Sequence, residues 1–205
     1  MARYTGNTNR IARRFGVNIF GRARNPLLHK PNPPGVHGAR RRKKSDYGLQ
    51  LEEKQKLKAV YGMLSERQLV NLYKKALSLK GNTAALLAEM LECRLDNIVY
   101  RLKFAGTIFA AHQLVSHGHI LVDGKKVDRR SFQVRPGMVI SIKEKSRSVK
   151  VINESLESAR EVPEYLSLNK EGFSGQLVAL PVPEQLPWPI EINLPEICDF
   201  LAHST

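Results

Sequence analysis

The 205-residue chain has only two cysteines, Cys93 and Cys198, far apart and without CxxC spacing. Neither a disulfide framework nor a zinc ribbon is encoded, so both thiols are expected as small apolar side chains and no metal is expected. No run of about twenty apolar residues occurs, which argues against a membrane-spanning helix. The basic N-terminus has no apolar stretch or small-residue cleavage site behind it, so the expectation is a cytoplasmic protein that stays where it is made. GxSxG, a Walker loop, HExxH and a dinucleotide GxGxxG are all missing, and the glutamates are scattered over helical faces and an acidic tail. The expectation is a protein that is not an enzyme and needs no cofactor.

The most informative scarcity is of acid. Residues 1–44 hold 12 Lys and Arg and no Asp or Glu, residues 45–92 hold 7 against 6, residues 93–153 hold 12 against 4, and residues 154–205 hold 2 against 9. A net charge of +14 and a pI near 10.0 speak to partners rather than to fold, and a polyanion is the first candidate. Two basic blocks flank a balanced stretch.

The first block, residues 1–45, has no sustained helical or strand period and is punctuated by Gly and Pro. A disordered basic tail is one reading. Ile11, Phe15, Val17, Ile19, Phe20, Leu27 and Leu28 are more apolar than such tails carry, which favours a segment ordered against a partner, with helical turns around residues 8–15. Its cations are Arg3, Arg10, Arg13, Arg14, Arg22, Arg24, Lys30, Arg40, Arg41, Arg42, Lys43 and Lys44, nine arginines against three lysines. Guanidinium grips phosphate bidentately and stacks on bases, so this bias fits structured RNA better than a solubility tail. An import tag or a nonspecific phosphate binder would also carry the run at 40–44.

From Gln50 the pattern turns helical, with Leu57, Val60, Tyr61 and Leu64 on one face. Ser65 is the expected cap of a second helix carrying Leu69, Leu72, Tyr73, Ala76 and Leu77, and Thr83 of a third carrying Leu86, Leu87, Met90 and Leu91. Asp96 is expected to cap the helix in RLDNIVYRL, and Thr107 a helix through Ser116, closed by Gly118 in the left-handed region. The period then changes from 3.6 to 2. Ile120 and Val122 share a strand face, Asp123-Gly124 suits a hairpin turn, and residues 138–142 alternate again after Arg135-Pro136-Gly137. Beyond Lys150 a helix through Arg160 is expected, then strands at 165–168 and 177–180. Five prolines within residues 180–196 predict an extended wrapping segment.

Packing Leu114, Val115, Ile120, Val122, Val134 and Ile140 inward would leave Arg94, Arg101, His112, Gln113, Ser116, His117, Lys125, Lys126 and Arg129 on the outside. For any one of these a solvated surface is as good a reading as RNA contact; clustering favours RNA for the set. His117 and His119 stand i, i+2, as two metal ligands do, but no third and fourth ligand accompany them.

RLDNIVYRL, QLVSHGHILVDGKKV and VRPGMVI resemble the S4 RNA-binding module. MARYTG, the stretch NPPGVHGARRRKKSDYGLQLEEKQKLKAVYGMLSERQL and INLPE near the end match, in order, the uS4 family of bacterial small-subunit ribosomal proteins. The resemblance implies an α+β fold: a basic RNA-binding arm at 1–45, a helical domain at 46–92 on which segment 183–205 packs back, and a second domain at 93–182 containing the module at 94–155. It also implies a primary binder of 16S ribosomal RNA that nucleates subunit assembly and contributes to translational accuracy. The implied partners are small-subunit ribosomal proteins S5 and S3 and the path by which messenger RNA enters.

The chain departs from the family pattern at Ile108 and His112, where arginines are usual, which predicts a larger share of RNA affinity for the arm. It also lacks the four-cysteine zinc site of some relatives. Two rival readings carry the same module: an RNA-modifying enzyme, which would need a separate catalytic domain, and a stand-alone ribosome-associated factor.

Overall fold

The structure is a computed structural model that describes residues 4–21, 24–40 and 43–204. The chain divides into two units, residues 1–87 with 188–205, and residues 88–187.

The first unit is helical. Asn7 accepts from the Asn9 amide at 2.9 Å to start α1 (Thr8–Phe15), and Gly16, at φ 68°, closes it. α2 (Pro26–His29) starts on Asn25 with proline in the first turn, where a missing N–H does no harm. Ser45 caps α3 (Asp46–Val60) and Ser65 caps α4 (Glu66–Ser78) through their hydroxyls. α5 (Thr83–Glu92) follows, with Asn82 Oδ1 accepting from the amides of Ala84 and Ala85; the cap is Asn82, not Thr83, because its carbonyl oxygen reaches both.

The chain returns at Trp188, whose indole donates to the Tyr61 hydroxyl at 3.1 Å, and ends in α9 (Leu194–Ser204). α9 lies against α3 and α4. Leu57, Leu69, Tyr73, Ile197, Phe200 and Leu201 form the core. Lys54 is buried because its Nζ sits 4.4 Å from the Phe200 ring centre while bonding Glu66 at 2.6 Å.

The second unit adds a sheet. α6 (Leu95–Arg101) and α7 (Ile108–Ser116) precede β1 (Ile120–Val122) and β2 (Lys125–Lys126). β3 (Val139–Ile142), α8 (Lys150–Leu156), β4 (Leu166–Asn169) and β5 (Ser174–Leu177) complete it. The strands run antiparallel in the order β2-β1-β3-β5-β4, with Ile120 opposite Ile142 and Ile140 opposite Gly175. Asp123 and Gly124 both take left-handed backbone, φ 48° and 77°, as the tight hairpin requires. Ile120, Val122, Ile140 and Ile142 turn inward, as do Ile98, Leu102, Ala111 and Val115 of the two helices, each large side chain contributing about 1.5–3 kcal/mol.

Four further expectations are corrected. Arg94, not Asp96, occupies the cap position of α6; Asp96 lies in the first turn, buried. α8 ends at Leu156, short of Arg160. The guanidinium of Arg160 instead donates to the carbonyls of Tyr100 and Ala105, at 3.3 and 2.7 Å. The strands expected at 165–168 and 177–180 lie at Leu166–Asn169 and Ser174–Leu177, paired through the turn at 170–173.

Gly175 hides the second of these strands from pattern reading. A Cβ there would stand 2.5 Å from Leu102 Cδ2 and 2.9 Å from the Ser167 carbonyl, so β5 approaches α6 only because the residue is glycine. Gly175→Ala is expected to destabilise the protein by about 1–3 kcal/mol. Urea unfolding of the two proteins measures it as a lower midpoint at unchanged slope.

Candidate RNA interface

Gln113, Ser116 and His117 follow one another at i, i+3 and i+4 at the end of α7, so they share one exposed face. Thr107 fixes the other end of that helix, its hydroxyl accepting from the Ala110 amide at 3.2 Å. Gly118, at φ 71°, lets the chain turn straight into β1. Lys126 of β2 lies across that turn: a Cβ on Gly118 would meet its Cε at 2.2 Å and its Nζ at 3.0 Å. The ammonium therefore stands by the carbonyl end of α7, where the helix dipole favours a cation. The His119 ring lies 6.1 Å from that of His117, and its Nδ1 is 2.8 Å from Ser146 Oγ. Lys125 is exposed on the same hairpin, and Arg129 is exposed just beyond it.

Pattern reading missed Lys143 and Lys145, which are also exposed; the Lys143 amide donates to the His119 carbonyl at 2.9 Å. They follow the point where the alternation of β3 ends, and only the charge of the second block pointed to them.

Three residues expected on the outside are turned inward. Arg94 is 4 % exposed, with Nε 3.1 Å from Asp96 Oδ1 and Nη2 2.6 Å from Oδ2. His112 sets its Nε2 3.3 Å from the same Oδ2, close enough for an ion pair but without hydrogen-bond alignment. Arg101 gives Nε to Glu92 Oε1 at 2.6 Å and Nη1 to the Pro187 carbonyl at 3.1 Å, while the Tyr165 hydroxyl donates to that Glu92 oxygen at 2.7 Å. Each guanidinium meets a buried carboxylate, which one-dimensional patterning reads as a solvated acid. Ile108 is buried as well.

Burial alone would raise the carboxyl pKa of Asp96, but His112 and Arg94 beside it outweigh that and hold it below the usual carboxylate range. Burial, with the Glu92 carboxylate, pushes the Tyr165 hydroxyl well above its ordinary value. Burial pushes the Cys93 thiol up to about 12, which keeps it inert.

In the first block, Arg10, Lys30, Arg40 and Lys43 are exposed. Arg14 is exposed 5.8 Å from the Phe15 ring centre, and Arg24 Nε lies 3.2 Å from His29 Nε2. Lys44 pairs with Glu52, and Arg13 is turned onto three backbone carbonyls. Arg3, Arg22, Arg41 and Arg42 lie outside the described residues. Among the described residues no group of three His, Cys, Asp or Glu is placed to hold a metal ion, and no helix is long and apolar enough to cross a membrane.

Two family models match in chain order, a ribosomal protein S4/S9 N-terminal domain over residues 3–92 and an S4 domain over residues 93–140. Together they define a ribosomal-type protein built around an S4 domain. Along its full length the chain is 82 % identical to the small ribosomal subunit protein uS4 of Protochlamydia amoebophila, over 206 residues and 100 % of both chains. It is 64 % identical to that of Chlamydia trachomatis serovar D over 211 residues, and 59 % identical to that of Chlamydia pneumoniae over 209, again covering both chains fully. The chain belongs to the uS4 family of small-ribosomal-subunit proteins.

The buried Asp96 carboxylate gives a pH dependence of defined sign. Its pKa is depressed on folding, so its contribution is present above the unfolded value of about 3.9 and is lost as pH falls below it. Thermal unfolding followed from pH 7 to pH 3 is expected to show this loss. In Asp96→Asn that part of the loss should be absent, with stability already about 3–5 kcal/mol lower at neutral pH because Arg94 is left buried without its partner.

Proposed function

We propose that this protein is a non-enzymatic structural component of the small ribosomal subunit in the bacterial cytoplasm, and that it binds 16S ribosomal RNA directly. The observation that carries this is the full-length identity of 82 % to a relative named small ribosomal subunit protein uS4. The surface chemistry agrees with it. Lys125, Lys126, Arg129, Lys143 and Lys145 are exposed, as are Gln113, Ser116 and His117, and Lys126 lies against the turn that ends α7. Cations on a rigid hairpin span phosphates and release counterions, while amide, hydroxyl and imidazole groups hydrogen-bond sugar and phosphate oxygens.

The finer reading is a primary binder that nucleates subunit assembly, contributes to translational accuracy, touches proteins S5 and S3, and borders the path by which messenger RNA enters. It rests on the family resemblance. Because Ile108 and His112 face inward, the arm from Arg3 to Lys44 takes the larger share of the RNA affinity in this proposal.

A binding titration against small-subunit ribosomal RNA tests the reading. Affinity is expected to fall with salt, with a log–log slope of about 0.7 to 0.9 per phosphate neutralised. Replacing Lys125, Lys126 and Arg129 together by alanine should lower that slope by about two to three units. Deleting the arm should weaken binding more than this triple change. No preference over an unrelated folded RNA, or no salt dependence, would refute the RNA reading. Loss of the protein from purified subunits on high-salt washing would point to a detachable factor instead.

A further inference from the structure

Arg13 sits among the cations of the arm, yet its guanidinium is already engaged. Nε donates to the carbonyls of Lys30 at 3.1 Å and Asn32 at 3.0 Å, and Nη2 donates to that of Pro33 at 3.3 Å. α1 sets it in place, capped at one end by Asn7 and closed at the other by Gly16. The residues it grips belong to KPNPPGVHGAR, residues 30–40, which holds three prolines and so three positions without an N–H donor.

No backbone amide among the described residues donates to those three carbonyls. The segment's own order comes from two turns, Gly38 N to Gly35 O at 3.3 Å and Arg40 N to His37 O at 3.0 Å. Those turns close against the clamped region: a Cβ on Gly38 would fall 2.0 Å from the Pro33 carbonyl oxygen that Arg13 holds. The outer side of the segment carries Lys30, Val36, His37 and Arg40, all exposed, Val36 at 95 %.

We propose that Arg13 is a positioning residue of the RNA interface rather than a phosphate contact. It ties α1 to residues 30–33 and so presents the tip at 34–40 in one shape before RNA arrives, removing an ordering cost from binding. Two of the three bonds come from Nε, and in a lysine that position is a methylene, so the charge would be kept while the donor to Lys30 and Asn32 is lost. The inference rests on the RNA-binding reading and assigns Arg13 a part in it that charge counting does not.

Arg13→Lys separates the two roles because it keeps the charge. In the full-length protein without RNA, hydrogen exchange at the amides of Gly38 and Arg40 is expected to accelerate by about tenfold, with exchange in residues 88–187 unchanged. Affinity for small-subunit RNA should fall by about tenfold, and Arg13→Ala should lose about as much as Arg13→Lys. Arg14→Lys, on the exposed neighbour, should leave exchange at Gly38 and Arg40 at the wild-type rate.

Wild-type exchange in Arg13→Lys overturns the clamp. Wild-type affinity in Arg13→Lys with a loss in Arg13→Ala assigns Arg13 to a phosphate and overturns the positioning role, as does fast exchange with unchanged affinity. Should the wild-type protein itself not bind small-subunit RNA, the RNA reading falls and the positioning role falls with it, while the exchange measurement still judges the clamp on its own.

Discussion

The second unit depends on a carboxylate that has no access to water. Asp96 accepts from Nε and Nη2 of Arg94, one at each carboxylate oxygen, and is approached by His112, so one acid joins the start of α6 to the middle of α7. The same turn is stitched to the segment that leads into β3: the amides of Leu95 and Asp96 donate to the carbonyls of Phe132 and Arg130, and Val134 returns a bond to Cys93. Removing either Arg94 or Asp96 would strand the other in a medium that cannot solvate it. The polar face at the end of α7 therefore stands on an ionic foundation as well as an apolar one.

A second buried acid does similar work nearby. Glu92 receives Arg101 and the Tyr165 hydroxyl, which ties the end of α5 to α6 and to the residue before β4. The residues on which these bonds converge lie well apart in the chain, yet each polar group finds a partner. Arginines so engaged hold the start of α6 together and tie its end to the end of α5, and their guanidinium groups are committed to carboxylates inside the unit.

Much of the architecture could be read from the chain. The caps at Ser65 and Thr107, the left-handed close at Gly118 and the Asp123-Gly124 hairpin follow from local chemistry that tertiary packing does not override. β5 could not be read that way, because Ser-Gly resembles a turn until Leu102 is seen filling the space beside Gly175. Arg94, Arg101 and His112 were illegible for a different reason: a period tells which way a residue faces, but a charged residue facing inward is recognisable only once its acid partner is located in space. Arg13 shows the same limit in the arm, where arginines identical in sequence terms divide between free surface and internal scaffolding.

The place of α9 has a consequence for how the protein comes into being. The core of the first unit is completed by Ile197, Phe200 and Leu201, which a ribosome adds after every other element described here. Residues 88–187 form a continuous stretch and can assemble as soon as they emerge, whereas α3 and α4 wait with an apolar face uncovered until the chain returns. The core of the helical unit thus stays incomplete until its last helix has been added.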